Sequence, residues 1–242
     1  MILVGIDDTD TLDSPGTNHV ARAVVRELPP EYRCRRIVRH QLLFDPRVPY
    51  TSKNSSCSLL LERVDESNAA DDDADSLRDL FEHLRESLLA RFQPGSDPGL
   101  CVCPAAVVAD EFVRFGLRCK RSLATQAEAR EIAARHALLL DGLGGTNDGV
   151  IGALSAVGLA STGDDGRVVE VDGLPDDLSG VATVEQIAAR GVQQIRCRAS
   201  GQLIVDGCVD VGKHLRPNLR GDRVVLIVEP HESGCWQAVR EL

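Results

Sequence analysis

Aromatic residues are scarce in this 242-residue chain: one Trp, two Tyr and five Phe, 3% in all. With methionine present once, the core must be built from Val, Leu, Ile and Ala. No apolar run approaches the ~20 residues that cross a bilayer, so no membrane partner is expected. The opening Met1-Ile2-Leu3-Val4-Gly5 lacks a basic stretch, so no signal peptide is expected either. Eight cysteines are present without a single Cys-x-x-Cys pair. That excludes zinc-ribbon spacing and points to buried, reduced thiols in a cytoplasmic protein. A basic excess is missing too: 27 Lys and Arg against 37 Asp and Glu give a net charge of -10. Nucleic acid is therefore a disfavoured partner, DNA is not expected, and tRNA ranks below a small substrate. Part of the acidic surplus, Asp65-Glu66 and Asp71 to Asp75, reads as a solvated loop. The Walker A spacing is absent as well.

What is present is a globular pattern, 43% hydrophobic, long enough for one large domain or two small ones. Met1 to Asp7 reads as a buried strand, followed by a polar loop to Gly16 and a helix opening at Thr17 or Asn18 that Pro29-Pro30 stops. Strands are expected over Arg33 to Leu43, Ser56 to Val64 and Leu100 to Val108. Leu77, Leu80, Phe81, Leu84, Leu88 and Leu89 recur at 3–4 spacing and predict a helix from Ala74 to Phe92. Thr125 with Glu128 forms a capping-box signature for a helix to Ala137. A glycine-rich loop, Asp141 to Gly149, then runs into the small-residue helix Val150 to Gly158. Beyond Arg167 the pattern is β-rich, with strands at 168–171, 194–198, 202–205 and 223–228, a turn at Ser200-Gly201 and a short helix at 184–190.

The chemistry concentrates in Gly5-Ile6-Asp7-Asp8-Thr9-Asp10. Three carboxylates within four residues repel one another unless a cation intervenes, and magnesium is held through one or two carboxylates plus phosphate oxygens. The competing reading is an Asp-rich turn whose side chains cap local amides. If the strand persisted through Asp10, Asp8 and Asp10 would face one side and Asp7 the other. Gly16-Thr17 then opens a helix whose free N–H groups suit phosphate. His40 reads as a packed strand residue. The basic stretch Lys213 to Arg220 reads as an ordinary loop or an anion contact.

These residues resemble the kinase-like domain of the archaeal tRNA(Ile) 2-agmatinylcytidine synthetases. That family uses ATP to activate the wobble cytidine of an isoleucine tRNA and joins agmatine to it. Two further segments are similar to the family: Pro46 to Cys57, and Asp148 to Gly158, which resembles an element of its ferredoxin-like domain. Asn54-Ser55-Ser56 stands where the family has Gly-Asn-Gly.

The resemblance implies that Asp7, Asp8 and Asp10 hold Mg2+ and that Thr9 and Gly16 touch ATP phosphates. Asn54, Ser55 and Ser56 line the phosphate side, and Asp8, Lys53 and Thr17 serve the chemistry. Gly145, Asn147 and Asp148 would face a second, cationic substrate. The expected fold is α+β: mixed sheets with helices on one face, in two ferredoxin-like or related units. The expected divisions are a kinase-like ATP/Mg domain over 1–95, a ferredoxin-like domain over 96–165, and a β-rich part over 166–242. The leading function is ATP- and Mg-dependent phosphoryl transfer or ligation on a small molecule or nucleotide derivative. The alternatives are a tRNA-modifying enzyme working with a separate tRNA-binding chain, and a nucleotide-binding module without turnover. A homodimer is compatible with this reading.

Overall fold

The structure, a computed structural model, describes residues 1–48, 53–64, 74–232 and 234–240. Pro49 to Ser52 of the second family-like segment, and the acidic run 65–73, lie outside the described residues.

Strand β1 (Ile2–Asp7) is central to everything that follows. It pairs antiparallel with β3 (Ser55–Arg63) on one side and β4 (Gly99–Pro104) on the other. β2 (Tyr32–Gln41) adds beyond β3, and β5 (Leu139–Gly142) beyond β4. The β-rich C-terminal part continues the same sheet, because β6 (Arg167–Val171) pairs with β2 from Arg36↔Val171 to Arg39↔Arg167. β7 (Leu174–Pro175) forms a hairpin with β6. Further out lie β8 (Val181–Thr183), β9 (Gln194–Cys197), β10 (Cys208–Asp210), β11 (Asn218–Arg220), β12 (Arg223–Pro230) and β13 (Trp236–Ala238). Among the described residues these form one thirteen-stranded mixed sheet, in the order β5-β4-β1-β3-β2-β6-β11-β12-β13-β10-β8 with β7 and β9 as side pairings. The division expected at 95/96 thus runs between β1 and β4, which pair along their whole length.

Alternation along β1 sends its side chains to opposite faces, and both faces are covered. Ile2, Val4 and Ile6 pack with Ala21 and Val24 of α1 (Thr17–Val25) and with Leu80, Phe81, Leu84 and Leu88 of α2 (Ala74–Leu89). Leu3 points the other way, toward α3 (Asp110–Cys119), α4 (Gln126–Arg135) and α5 (Gly149–Ala160). The α+β class holds; the expectation of helices on one face does not. β1 is apolar on both of its faces, and each face draws its own helix layer.

α5 is buried on almost every side and lies directly on β1. Glycine makes that approach feasible: a Cβ at Gly5 would sit 1.9 Å from the Ala153 carbonyl oxygen, and one at Gly158 2.0 Å from that of Phe112 in α3. α3 was not expected, although Phe112, Phe115, Gly116 and Cys119 carry its buried stripe. The capping box at Thr125 and Glu128 is formed, and a second one at Thr183 and Gln186 opens α6 (Val184–Ala188).

A third apolar cluster, including Val192, Ile195, Val209, Leu219, Leu226 and Val228, consolidates the C-terminal strands. The strand expected at 202–205 reduces to one bridge, Arg196↔Leu203. The reduced-thiol expectation also needs correcting. Six cysteines are free and buried, but Cys208 and Cys235 form a disulfide that ties β10 to the chain entering β13.

Candidate active site

A cavity of about 590 Å3 opens at the C-terminal end of β1. One wall carries Asp7, Asp8, Asp10 and Thr17, and a second carries Leu42, Leu43, Lys53, Asn54 and Ser55. The third is formed by the α3–α4 connection, 122–127, with Asp148, Ile151 and Gly152 of the α5 entry.

β1 ends at Asp7, so the conditional two-sided arrangement of the aspartates does not arise. Asp8 instead takes a left-handed backbone, φ 50°. Its carbonyl accepts the Asp97 N–H at 3.1 Å, which draws the 93–98 turn over the strand tip. Asp7 faces α5 so closely that a Cβ at Gly152 would lie 1.8 Å from its Oδ2. Burial and then the neighbouring Asp8 push the Asp7 carboxyl well above the usual range. Burial, Asp97, Asp10 and Asp148, in that order, push Asp8 up to about 6. No cation figures among the groups that shift either residue.

Asp10 plays a different part. Its Oδ1 accepts from the Thr17 backbone N–H at 3.1 Å and from the Thr17 hydroxyl at 2.8 Å. It thereby caps α1, whose N-cap residue, Gly16, has no side chain for the task. Thr17 lines the cavity, whereas Gly16 does not. Thr9 is buried and also outside the cavity wall, and its hydroxyl has no hydrogen-bond partner among the described residues.

The phosphate-side loop divides. Lys53 lines the cavity with its ammonium 5.7 Å from the centroid of the Phe44 ring. Ser55 lines the cavity as well. Asn54 does too, but its amide donates to the Leu43 carbonyl at 2.8 Å and so braces the loop. Ser56 is fully buried and outside the wall, because alternation along β3 turns it away from Ser55.

Of the three residues expected to face a second substrate, only Asp148 reaches the cavity. Gly145 and Asn147 take left-handed backbones that shape the loop, with φ 59° and 67°. Gly145 also leaves room for Asp97, whose carboxylate accepts from the Thr146 N–H and hydroxyl at 2.6 and 2.7 Å. Asp148 accepts from Gln126 Nε2 at 2.6 Å. Asp97 and Gln126 were not anticipated. Asp97 sits in Pro94-Gly95-Ser96-Asp97-Pro98-Gly99, where turn residues mask any site signal.

His40 lies apart from the cavity. It is fully buried between Asp165, 2.8 Å from Nδ1, and Ser58, 2.8 Å from Nε2.

Among the described residues no three His, Cys, Asp or Glu side chains gather closely enough to hold a metal by themselves. The donor set still fits magnesium brought with a nucleotide. Such an ion needs one or two carboxylates, keeps waters, and completes its shell with phosphate oxygens. Asp7 and Asp8 at the β1 tip are hard oxygen donors, and no cation is among the groups that shift them.

Fold and site together define a mixed α+β sheet protein with an acidic cleft at the tip of its central strand. No family model matches the sequence, and no curated protein matches it. Solved structures do match. An apo structure of TiaS, tRNAIle2 agmatidine synthetase, aligns over 65% of this chain at 20% identity and a TM-score of 0.52. A tRNA fluorescent labeling enzyme aligns over 65% at 21% and 0.53, and a TiaS–tRNA(Ile2)–ATP complex over 65% at 21% and 0.52. The chain spans about a third of the length of these proteins, 35% to 36%. The chain therefore shares the TiaS fold, as the Gly5 to Asp10 motif led one to expect.

The ranking of tRNA as a disfavoured partner does not stand. TiaS structures of this fold hold tRNA(Ile2), one of them with ATP and one with AMPCPP and agmatine. Net charge averages over the whole surface and does not report on a local binding face.

Proposed function

We propose that this chain is an ATP-dependent enzyme of the ligase type acting in tRNA modification in the cytoplasm, with its reaction centre in the cavity at the β1 tip. One observation carries the reading. Asp7, Asp8, Asp10 and Asp148 line a single cavity in a TiaS-like fold, Asp97 is near enough to shift Asp8, and no cation is among the groups that shift Asp7 or Asp8. Carboxylates held so close raise one another's pKa and destabilise the fold, which argues for a cationic ligand that compensates them.

In this reading Asp8, with Asp7 or Asp10, holds Mg2+, and the ion neutralises charge on the ATP phosphates. Phosphoryl and nucleotidyl chemistry needs mainly positioning and charge neutralisation, and the chain's own groups supply both. Lys53 and Ser55, which line the same cavity, meet phosphate there. The Thr17 hydroxyl, now donating to Asp10, is placed to switch to a phosphate oxygen at the start of α1. Thr9 and Gly16 shape that turn from outside the wall, and Thr9 brings an unpartnered buried hydroxyl to it. Asp148 lines the same cavity near Asp8, where a cationic amine substrate such as agmatine would pair with it.

The test is product analysis with ATP, Mg2+, tRNA and agmatine, repeated with Asp8→Asn. The reading requires nucleotide turnover that depends on magnesium and falls at least a hundredfold in the variant. Turnover unchanged in Asp8→Asn would sink it. A second reading, nucleotide binding without turnover, draws on the committed amide of Asn54 and the buried Ser56. ATP binding with no product under any of these conditions would favour it.

A further inference from the structure

The registers place a row of basic residues at the cavity's end of the sheet, in a region the proposed chemistry leaves unused. Ile6 pairs with Cys57, Cys57 with Arg39, and Arg39 with Arg167. Asp7 follows Ile6, so Arg39 and Arg167 lie at the cleft's end of the sheet, on the face that Ile6 and Cys57 share with α1. Strands are spaced about 4.8 Å apart, which puts the two arginines roughly 10 and 15 Å from β1.

The row continues into the C-terminal part. The Val168 N–H donates to the Pro217 carbonyl at 2.9 Å, bringing Arg216 next to Arg167. The Val239 N–H donates to the Ile227 carbonyl at 2.9 Å, which returns Arg240 to the same end. The proximity is electrostatically visible. Burial first, and then Arg216 and Arg39 against the pull of Asp176, hold the Arg167 guanidinium below its usual range. Burial, Arg240 and Arg39 do the same to Arg216.

The local carboxylates do not balance this charge. Glu170 and Asp176 are engaged by Arg22 of α1, and Asp176 also by Arg167 at 3.6 Å. Among the described residues no carboxylate forms an ion pair with Arg39, Arg216 or Arg240. Arg39, Arg167 and Arg216 are half-buried, and the Arg167 Nε is buried without a hydrogen-bond partner. Half-buried cations of one sign set side by side, with a carboxylate only at Arg167, disfavour the fold unless an anion joins them.

A single phosphate would be met by guanidinium groups converging on a point. The backbones of these four residues are instead spread over β2, β6 and the chain around β11 and β13, a span of several strands leading away from β1. We infer that Arg39, Arg167, Arg216 and Arg240 form a strip that tracks the phosphodiester backbone of an RNA strand whose reacting nucleotide enters the acidic cleft. The strip rests on the tRNA reading proposed above. It assigns to this chain's own β2 and C-terminal strands the sequence-independent part of RNA binding, which arginine supplies through phosphate contacts.

Fluorescence anisotropy with total tRNA, at salt concentrations from 50 to about 300 mM, tests it on the full chain. The double variant Arg39→Gln/Arg216→Gln should bind roughly tenfold more weakly at low salt, with a log–log salt slope shallower by roughly two. Arg135→Gln, on the outer surface of α4, should match the wild type. ATP binding, measured alongside, should be the same in all three proteins. If Arg39→Gln disturbs the melting temperature, Arg216→Gln/Arg240→Gln carries the same prediction.

An unchanged slope in the strip variants overturns the inference, as does an equal loss in Arg135→Gln. Loss of ATP affinity with tRNA binding intact also overturns it, because the row then serves the nucleotide. A wild type that binds no tRNA overturns it as well. The Asp8-dependent turnover assay reports on the functional reading separately, so the two failures can be told apart.

Discussion

The Asp7 carboxylate rests against Gly152 so closely that any Cβ there would come within 1.8 Å of Oδ2. Asp7 belongs to β1 and Gly152 to the first turns of α5, so this contact sets the distance between the acidic strand tip and the helix that backs it. Gly152→Ala must either displace the carboxylate or lift α5 from the sheet. Overpacking of this kind costs about 1–3 kcal/mol. Urea denaturation should show that loss, and calorimetry should show weakened ATP binding. A variant of wild-type stability that binds ATP normally would mean that the contact is not a constraint.

Asp8 should behave as a residue kept at the expense of stability. Its folded pKa, about 6, lies above the ordinary carboxylate value of 3.8. The native state therefore holds more protons between those values, and stability falls as pH rises through that window. The full penalty is present above pH 6. Asp8→Asn removes it, and stability at pH 7.5 should rise by roughly 1–3 kcal/mol, allowing for the residue's partial exposure. Denaturation midpoints decide the matter; a clear loss of stability would show that Asp8 serves the fold.

His40 sets the opposite dependence on the acid side. A carboxylate only accepts, so Nδ1–H donates to Asp165 and Nε2 accepts from the Ser58 hydroxyl. Burial holds the His40 pKa below its ordinary value of 6.5, against the pull of Asp165. Below pH 6.5 the unfolded chain takes up a proton that the native state refuses, so stability present at neutral pH is lost on acidification. Asp165, with its carboxyl held low by His40 and Lys120 against burial, adds a further loss below about pH 4. The melting temperature should fall from pH 7 to pH 5, and His40→Gln should flatten that slope. An unchanged slope in the variant would place the acid sensitivity elsewhere.

The Cys208–Cys235 bridge closes a loop across 27 residues of sequence. Loop-closure entropy assigns about 3–4 kcal/mol to a ring of that size. Reduction should lower the melting temperature measurably, with the β10–β13 pairing exchanging its amides first. An identical melting curve under reductant would show that the strand pairings alone hold this region.

The β1 tip could be read from sequence because a run of apolar residues ending in three aspartates has few structural explanations. The Thr125–Glu128 and α2 signals were equally plain, since capping and 3–4 spacing are local. Asp97 was hidden because its place beside the cleft comes from a backbone bond to Asp8, 89 positions away in the sequence. The three-residue strands β8, β10, β11 and β13 are too short for a period to register. The exclusion of Ser56 and Gly145 from the cavity depends on strand register and loop path, which residue type does not specify.

The most direct measurement is calorimetric titration of ATP into the wild type and Asp8→Asn, with and without Mg2+, each checked for folding by its melting temperature. The account predicts tight binding only for the wild type with magnesium, and a folded variant that binds at least tenfold more weakly. Equal affinity in the two proteins, or binding indifferent to magnesium, would contradict it.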